Sequence, residues 1–137
     1  MNRIASRKLI IGALLIVVLA ASGGWRYLNY REWSAAYAVA HDSFSRAWEY
    51  KDAGTLVFEP RWKDFEVAID KLHRVGHVGE EQEIKTASMV NCGDELHLYR
   101  EVGAHADEAI RAGRSPDTYL NIQVKIRSSV VACFAEE

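Results

Sequence analysis

Three side chains of metal-binding type, His97, Glu101 and His105, recur at intervals of four residues. On an α-helix they fall within about 80° of one another, so neighbouring pairs are candidate ligands for a shared ion. The same angles turn the trio away from the apolar stripe through Leu96, Tyr99 and Gly103. The pattern therefore reads as a solvated polar face, and no metal or other cofactor is expected. His73 and His77 are also four apart, but Gly76 between them marks a fraying, solvent-facing helix end.

His41, Asp42 and Ser43 supply the residue types of a hydrolase triad. Consecutive helical positions point in different directions, so they cannot build that geometry. The chain carries no Gly-x-Ser-x-Gly elbow, phosphate-cradling glycine loop or Cys-x-x-Cys-His haem attachment. Asp94, Glu95, Glu101, Asp107 and Glu108 would act as general acids or bases only inside a cleft; at these intervals they read as a solubilising surface. No catalytic residue is assigned, and the chain is not expected to be an enzyme. Trp33, Tyr37, Phe44, Trp48, Trp62 and Phe65 could line an apolar ligand cavity, but rings at helical spacing are the ordinary material of a core.

Cys92 and Cys133 are the only cysteines. Without a Cys-x-x-Cys arrangement to lower a thiol pKa, the chemistry they offer is a structural crosslink. That requires an oxidising compartment and a fold that sets them face to face.

The compartment is read from the N-terminus. Arg3, Arg7 and Lys8 precede Leu9–Ala21, in which 12 of 13 residues are apolar. A basic n-region followed by an apolar h-region is held on the cytoplasmic side while the rest is translocated. Small residues at Ala20-Ala21-Ser22-Gly23 would suit a signal peptidase, giving a secreted protein as the alternative. The apolar run instead continues to Trp25, reaching about 17 residues, the lower limit for a spanning helix. Trp25, Tyr27, Tyr30 and Trp33 follow at once. Rings with one wet end favour the bilayer interface, so the four are assigned to an interfacial belt, the start of a soluble core being the competing reading. This gives an uncleaved signal-anchor in the inner (plasma) membrane, N-terminus in the cytoplasm and the remainder in the periplasm or extracellular space.

Charge divides the same way. Residues 1–33 carry a formal +4, and residues 34–137, with 12 Lys/Arg against 18 Asp/Glu, a formal −6. An acidic domain without a basic, aromatic-interleaved run is unsuited to nucleic acid. The 49% apolar composition and 2 prolines exclude a disordered polar chain.

Four segments of helical period must position these groups. In the first, Trp33, Tyr37, Ala40, Phe44, Ala47 and Trp48 step by three and four, with Gly54 expected as a left-handed C-cap. With no proline from Lys8 to Gly54 the anchor can run directly into this helix, a kink at Gly23-Gly24 being the alternative. The second is expected to open at Glu59-Pro60 and to bury Trp62, Phe65, Ile69, Leu72 and Val75 before Gly76. The third opens on Glu80, Glu81 and Glu83, suited to the positive end of a helix dipole, and carries Ile84, Ser88, Cys92, Leu96, Tyr99, Gly103, Ala106 and Ile110. The fourth begins with Ser115 as N-cap, Pro116 at N1 and Asp117 at N2. Residues 119–126 alternate as a strand would, but the cap and the longer stripe through Tyr119, Ile122, Ile126, Val130 and Cys133 favour helix.

If the third and fourth segments form an antiparallel hairpin, residues at equal height have numbers of constant sum. Cys92 and Cys133 sum to 225, as do Tyr99 with Ile126, Gly103 with Ile122 and Ala106 with Tyr119. One register thus aligns both stripes and predicts a Cys92–Cys133 disulfide.

The expected architecture is all-α: a cytoplasmic n-region (1–8), a transmembrane signal-anchor helix (9–28) and an extracytoplasmic antiparallel four-helix bundle with one disulfide (29–137). The expected function is a membrane-tethered interaction module with a protein partner in the cell envelope. The alternatives are an exported inhibitor or immunity protein that binds a basic toxin or hydrolase, and a metal- or ligand-binding bundle.

Overall fold

The computed structural model describes residues 2–76 and 79–134. It contains four helices, α1 (Asn2–Glu49), α2 (Thr55–Val75), α3 (Glu80–Arg111) and α4 (Asp117–Phe134), with no strand among the described residues. The 119–126 segment is helical, and the Ser115 hydroxyl accepts the N–H of Asp117, the first residue of α4, at 3.3 Å.

The first helix is unbroken across Gly23-Gly24 and, at 48 residues, is about 72 Å long. Its two halves have different surroundings. The apolar half carries Leu9 through Leu19 on its surface, and no residue of its 18-residue apolar window, of mean hydropathy 2.2, is buried. The distal half supplies Trp33, Ala36, Ala40, Phe44 and Ala47 to the core. Three alanines among large rings let α2 approach α1 closely, and this antiparallel pair is the most extensively packed.

Helices α3 and α4 form the second antiparallel pair. The expected register holds: Cys92 and Cys133 are disulfide-bonded, Ser129 meets Glu95, and Gln123 packs against Gly103. Trp33 bonds Thr86 and Trp48 packs on Tyr99, so α3 runs parallel to α1. The last turn of α4 reaches α1, where His41 Nε2–H donates to the Cys133 carbonyl at 3.2 Å and Phe134 packs on Phe44.

Four local expectations are corrected. Gly54 is not a left-handed C-cap; at φ −62° and ψ 161° it is extended and forms the N-cap of α2. The end of α1 needs no left-handed glycine because the N–H groups of Tyr50 and Lys51 turn back onto the Ala47 and Trp48 carbonyls. α2 begins one turn earlier than Glu59-Pro60, at Thr55, and holds Pro60 in its interior. The extra turn buries Phe58, while the carbonyl that Pro60 leaves without a helical donor belongs to Leu56, which is 93% exposed and open to water.

In α3, Ile84 and Ile110 are exposed, and Ser88 is only half-buried. Gln82, Thr86 and Met89 are buried instead, because α4 ends near the level of Asn91 and the first turns of α3 face α1. At the other end α3 runs past the α1–α2 turn, leaving Ile110 without a neighbour to cover it. Finally, Trp33 leaves the aromatic belt. It is 4% exposed and donates its indole N–H to Thr86 Oγ1 at 3.0 Å, whereas Trp25, Tyr27 and Tyr30 are all exposed.

Candidate functional site

At the level of the α1–α2 turn, away from the apolar half of α1, the bundle carries a polar brace. Asp52 lies in the turn after α1, Tyr99 on α3 and Arg127 on α4. The Tyr99 hydroxyl donates to Asp52 Oδ1 at 2.7 Å and accepts from Arg127 Nη2 at 2.7 Å. One phenol thus joins three parts of the chain. Beside it, Arg100 Nη1 donates to the carbonyls of Lys51 and Ala53, at 2.9 and 2.8 Å, which ties the turn between α1 and α2 to α3. Its guanidinium lies 3.9 Å above the Phe58 ring.

Burial raises the pKa of the Tyr99 phenol; the hydrogen bond to Asp52 adds to this and Arg127 offsets part of it. The fold thus prefers the neutral phenol. The associated stability is complete below the unfolded value of about 10 and is lost as pH rises through the higher folded value. Tyr99→Phe is expected to cost about 1 kcal/mol near neutral pH, since Asp52 and Arg127 are exposed enough to regain water. The difference from wild type should shrink in alkaline melts above about pH 10. A constant difference across that range would contradict the titration.

The expected metal-type trio is split. His97 faces α2, its ring 5.8 Å from Trp62, and His105 stacks on Tyr119 of α4 at 5.7 Å. No group of three His, Cys, Asp or Glu among the described residues converges to hold a metal. His73 is exposed, and His77 lies outside the described residues. His41 bonds the end of α4 and has no triad geometry with its neighbours. The six aromatics pack as core and line no enclosed chamber among the described residues; Trp62 and Phe65 also border open hollows. Of the five acids from Asp94 to Glu108, Glu95 accepts from Ser129 at 2.9 Å beside the disulfide, and Asp94 and Glu101 border the seam described next.

Sequence reasoning also missed the α2–α3 seam. These helices touch only sparsely, and two hollows of about 280 and 260 Å³ open along their length, meeting at Trp62. The first is floored by Trp62, Phe65, Ile69 and Val90 and bordered by Glu66, Asp70 and Asp94. The second runs from Thr55 and Phe58 to Glu59, His97 and Glu101. Gly93 lies at the narrowest point: a Cβ there would stand 2.4 Å from the Phe65 ring. Trp62 donates its indole N–H to Glu66 Oε1 at 2.8 Å, which fixes the ring. The available signal was angular: Glu59, Glu66 and Asp70 lie about 40–80° around α2 from Trp62, one acidic flank beside the core stripe.

No family model, curated protein or solved structure matches the chain.

Proposed function

We propose that the protein is a single-pass membrane protein whose α1 anchors a disulfide-stapled helical bundle outside the cytoplasm, where the bundle binds a protein partner and catalyses no reaction. The observation that carries this reading is the division of α1. Its first half is apolar on every side and wholly uncovered, a surface that suits lipid, while the same helix continues without a break into the core. The Cys92–Cys133 bridge supports an oxidising compartment, and Arg3, Arg7 and Lys8 support a cytoplasmic N-terminus. Trp25, Tyr27 and Tyr30, exposed beyond the apolar run, suit the outer interface.

Alkaline carbonate extraction of native membranes, with the chain's mass measured, tests the anchor. The expected result is a full-length chain of 15.5 kDa retained in the pellet, with neither cysteine alkylated before reduction. A soluble chain beginning near Ser22–Trp25 would overturn the anchor and favour the exported inhibitor of a basic toxin or hydrolase. Two alkyl groups added without reductant would overturn the oxidising compartment.

A further inference from the structure

We propose that the α2–α3 seam is a docking groove for a cationic amphipathic segment of a partner protein. The proposal rests on the interaction-module reading above and names the surface and the chemistry of the partner. The groove follows α2 from Thr55 to Asp70, about 22 Å. Each hollow is smaller than the roughly 300 Å³ at which small-molecule pockets begin. Two such recesses either side of a fixed indole suit successive apolar side chains of a polypeptide lying along the seam.

The rim selects the charge. Five carboxylates, Glu59, Glu66, Asp70, Asp94 and Glu101, border the two hollows. None is in an ion pair with a described residue. Arg100, the one Lys or Arg lining either hollow, already holds the Lys51 and Ala53 carbonyls and covers Phe58. The groove thus has an apolar floor and a border that sets five carboxylates against one guanidinium. Lys and Arg side chains suit both parts: their stems cover apolar surface, their heads meet carboxylates, and a cation over Trp62 gains from the ring face. The same border repels phosphate, which disfavours nucleic acid and anionic lipid as occupants.

The test uses the full chain in zwitterionic nanodiscs, with empty discs as blank. The probe is a fluorescent 18-residue amphipathic peptide of Leu and Lys, compared with its Leu/Glu counterpart. The Leu/Lys peptide is expected to bind above the blank, more weakly as salt rises, and the Leu/Glu peptide not at all. Glu66→Gln/Asp70→Asn/Asp94→Asn should weaken binding about tenfold, while Glu80→Gln/Glu81→Gln/Asp117→Asn, which removes as many charges elsewhere, should leave it unchanged. All six positions are exposed, and melting temperatures verify that both variants fold. Equal binding by the two variants, or none above the blank, would overturn the groove.

Photo-crosslinking in native membranes separates the groove from the interaction reading. A partner captured from Val124, on the outer face of α4, but not from Asp70 would overturn the groove and leave the interaction reading standing. Capture from neither position would overturn the interaction reading, whatever the peptide does.

Discussion

Reduction of the Cys92–Cys133 bridge should lower the stability of the bundle by about 4 kcal/mol, the loop-closure value for a crosslink spanning 41 residues. The total for a domain of this size is roughly 5–15 kcal/mol, so the loss removes a large part of it. The architecture makes α4 the element most exposed to the change. Beyond its packing on α3, it is tied to the rest by Arg127 at the brace and by its final turn against His41 and Phe44. Thermal melts with and without reductant, repeated on Cys92→Ser/Cys133→Ser, measure the effect. The expected fall in Tm is about 15–30 °C, with the variant insensitive to reductant. Superimposable melts would show that the unbridged hairpin supplies the stability alone.

Phe44→Ala should cost about 3–5 kcal/mol, the usual range for removing a fully buried ring. Phe44 lies where the two helical pairs meet: its ring is 5.7 Å from Phe65 of α2, 5.5 Å from Phe134 of α4 and 6.4 Å from Trp48, which in turn packs on Tyr99 of α3. The space it leaves would be bounded by other large rings held by their own contacts, so little collapse is available to offset the loss. Urea unfolding followed by tryptophan fluorescence should report a lower midpoint with an unchanged slope. Val39→Ala, on an exposed face of the same helix, is the control and should shift stability by no more than about 0.5 kcal/mol. Similar losses from the two substitutions would mean that the rings around Phe44 do not form the junction.

The α3–α4 hairpin was legible in the sequence because helical rise is constant. Equal steps along two antiparallel helices keep the sum of facing residue numbers fixed, so two cysteines and two apolar stripes were enough to fix the register. The failures arose where a helix is exposed to more than one neighbour. Ile84 and Ile110 fit the stripe of α3, but at Ile84 the packing partner is α1, and at Ile110 the helix has passed the end of the α1–α2 pair. Trp33 matched the spacing of a core and the chemistry of an interface alike, and its long-range bond to Thr86 decided between them. Proline and glycine misplaced the start of α2 because their local preferences were outweighed by burial of Phe58 and by Arg100 acting from 47 residues away.

The site was less legible than the fold. Asp52, Tyr99 and Arg127 belong to one hydrogen-bonded group, yet are separated by 47 and 28 positions and follow no local period. The acids along α2 and α3 were visible as charges on single helices. That they border one groove depends on how sparsely the two helices meet, a property of the assembled bundle.

The unbroken course of α1 also makes it a measuring rod. Each residue between the apolar segment and the core adds about 1.5 Å of height and 100° of rotation, and no hinge absorbs either. With the helix upright in a bilayer, the level of Phe44 and Trp48, where the groove opens, stands roughly 25–30 Å beyond Leu28. Its reach and its compass bearing are then set together by a single residue count. Seven added residues would lift the groove about 10 Å at nearly the same bearing, whereas two would leave its height almost unchanged and turn it to the far side of the molecule.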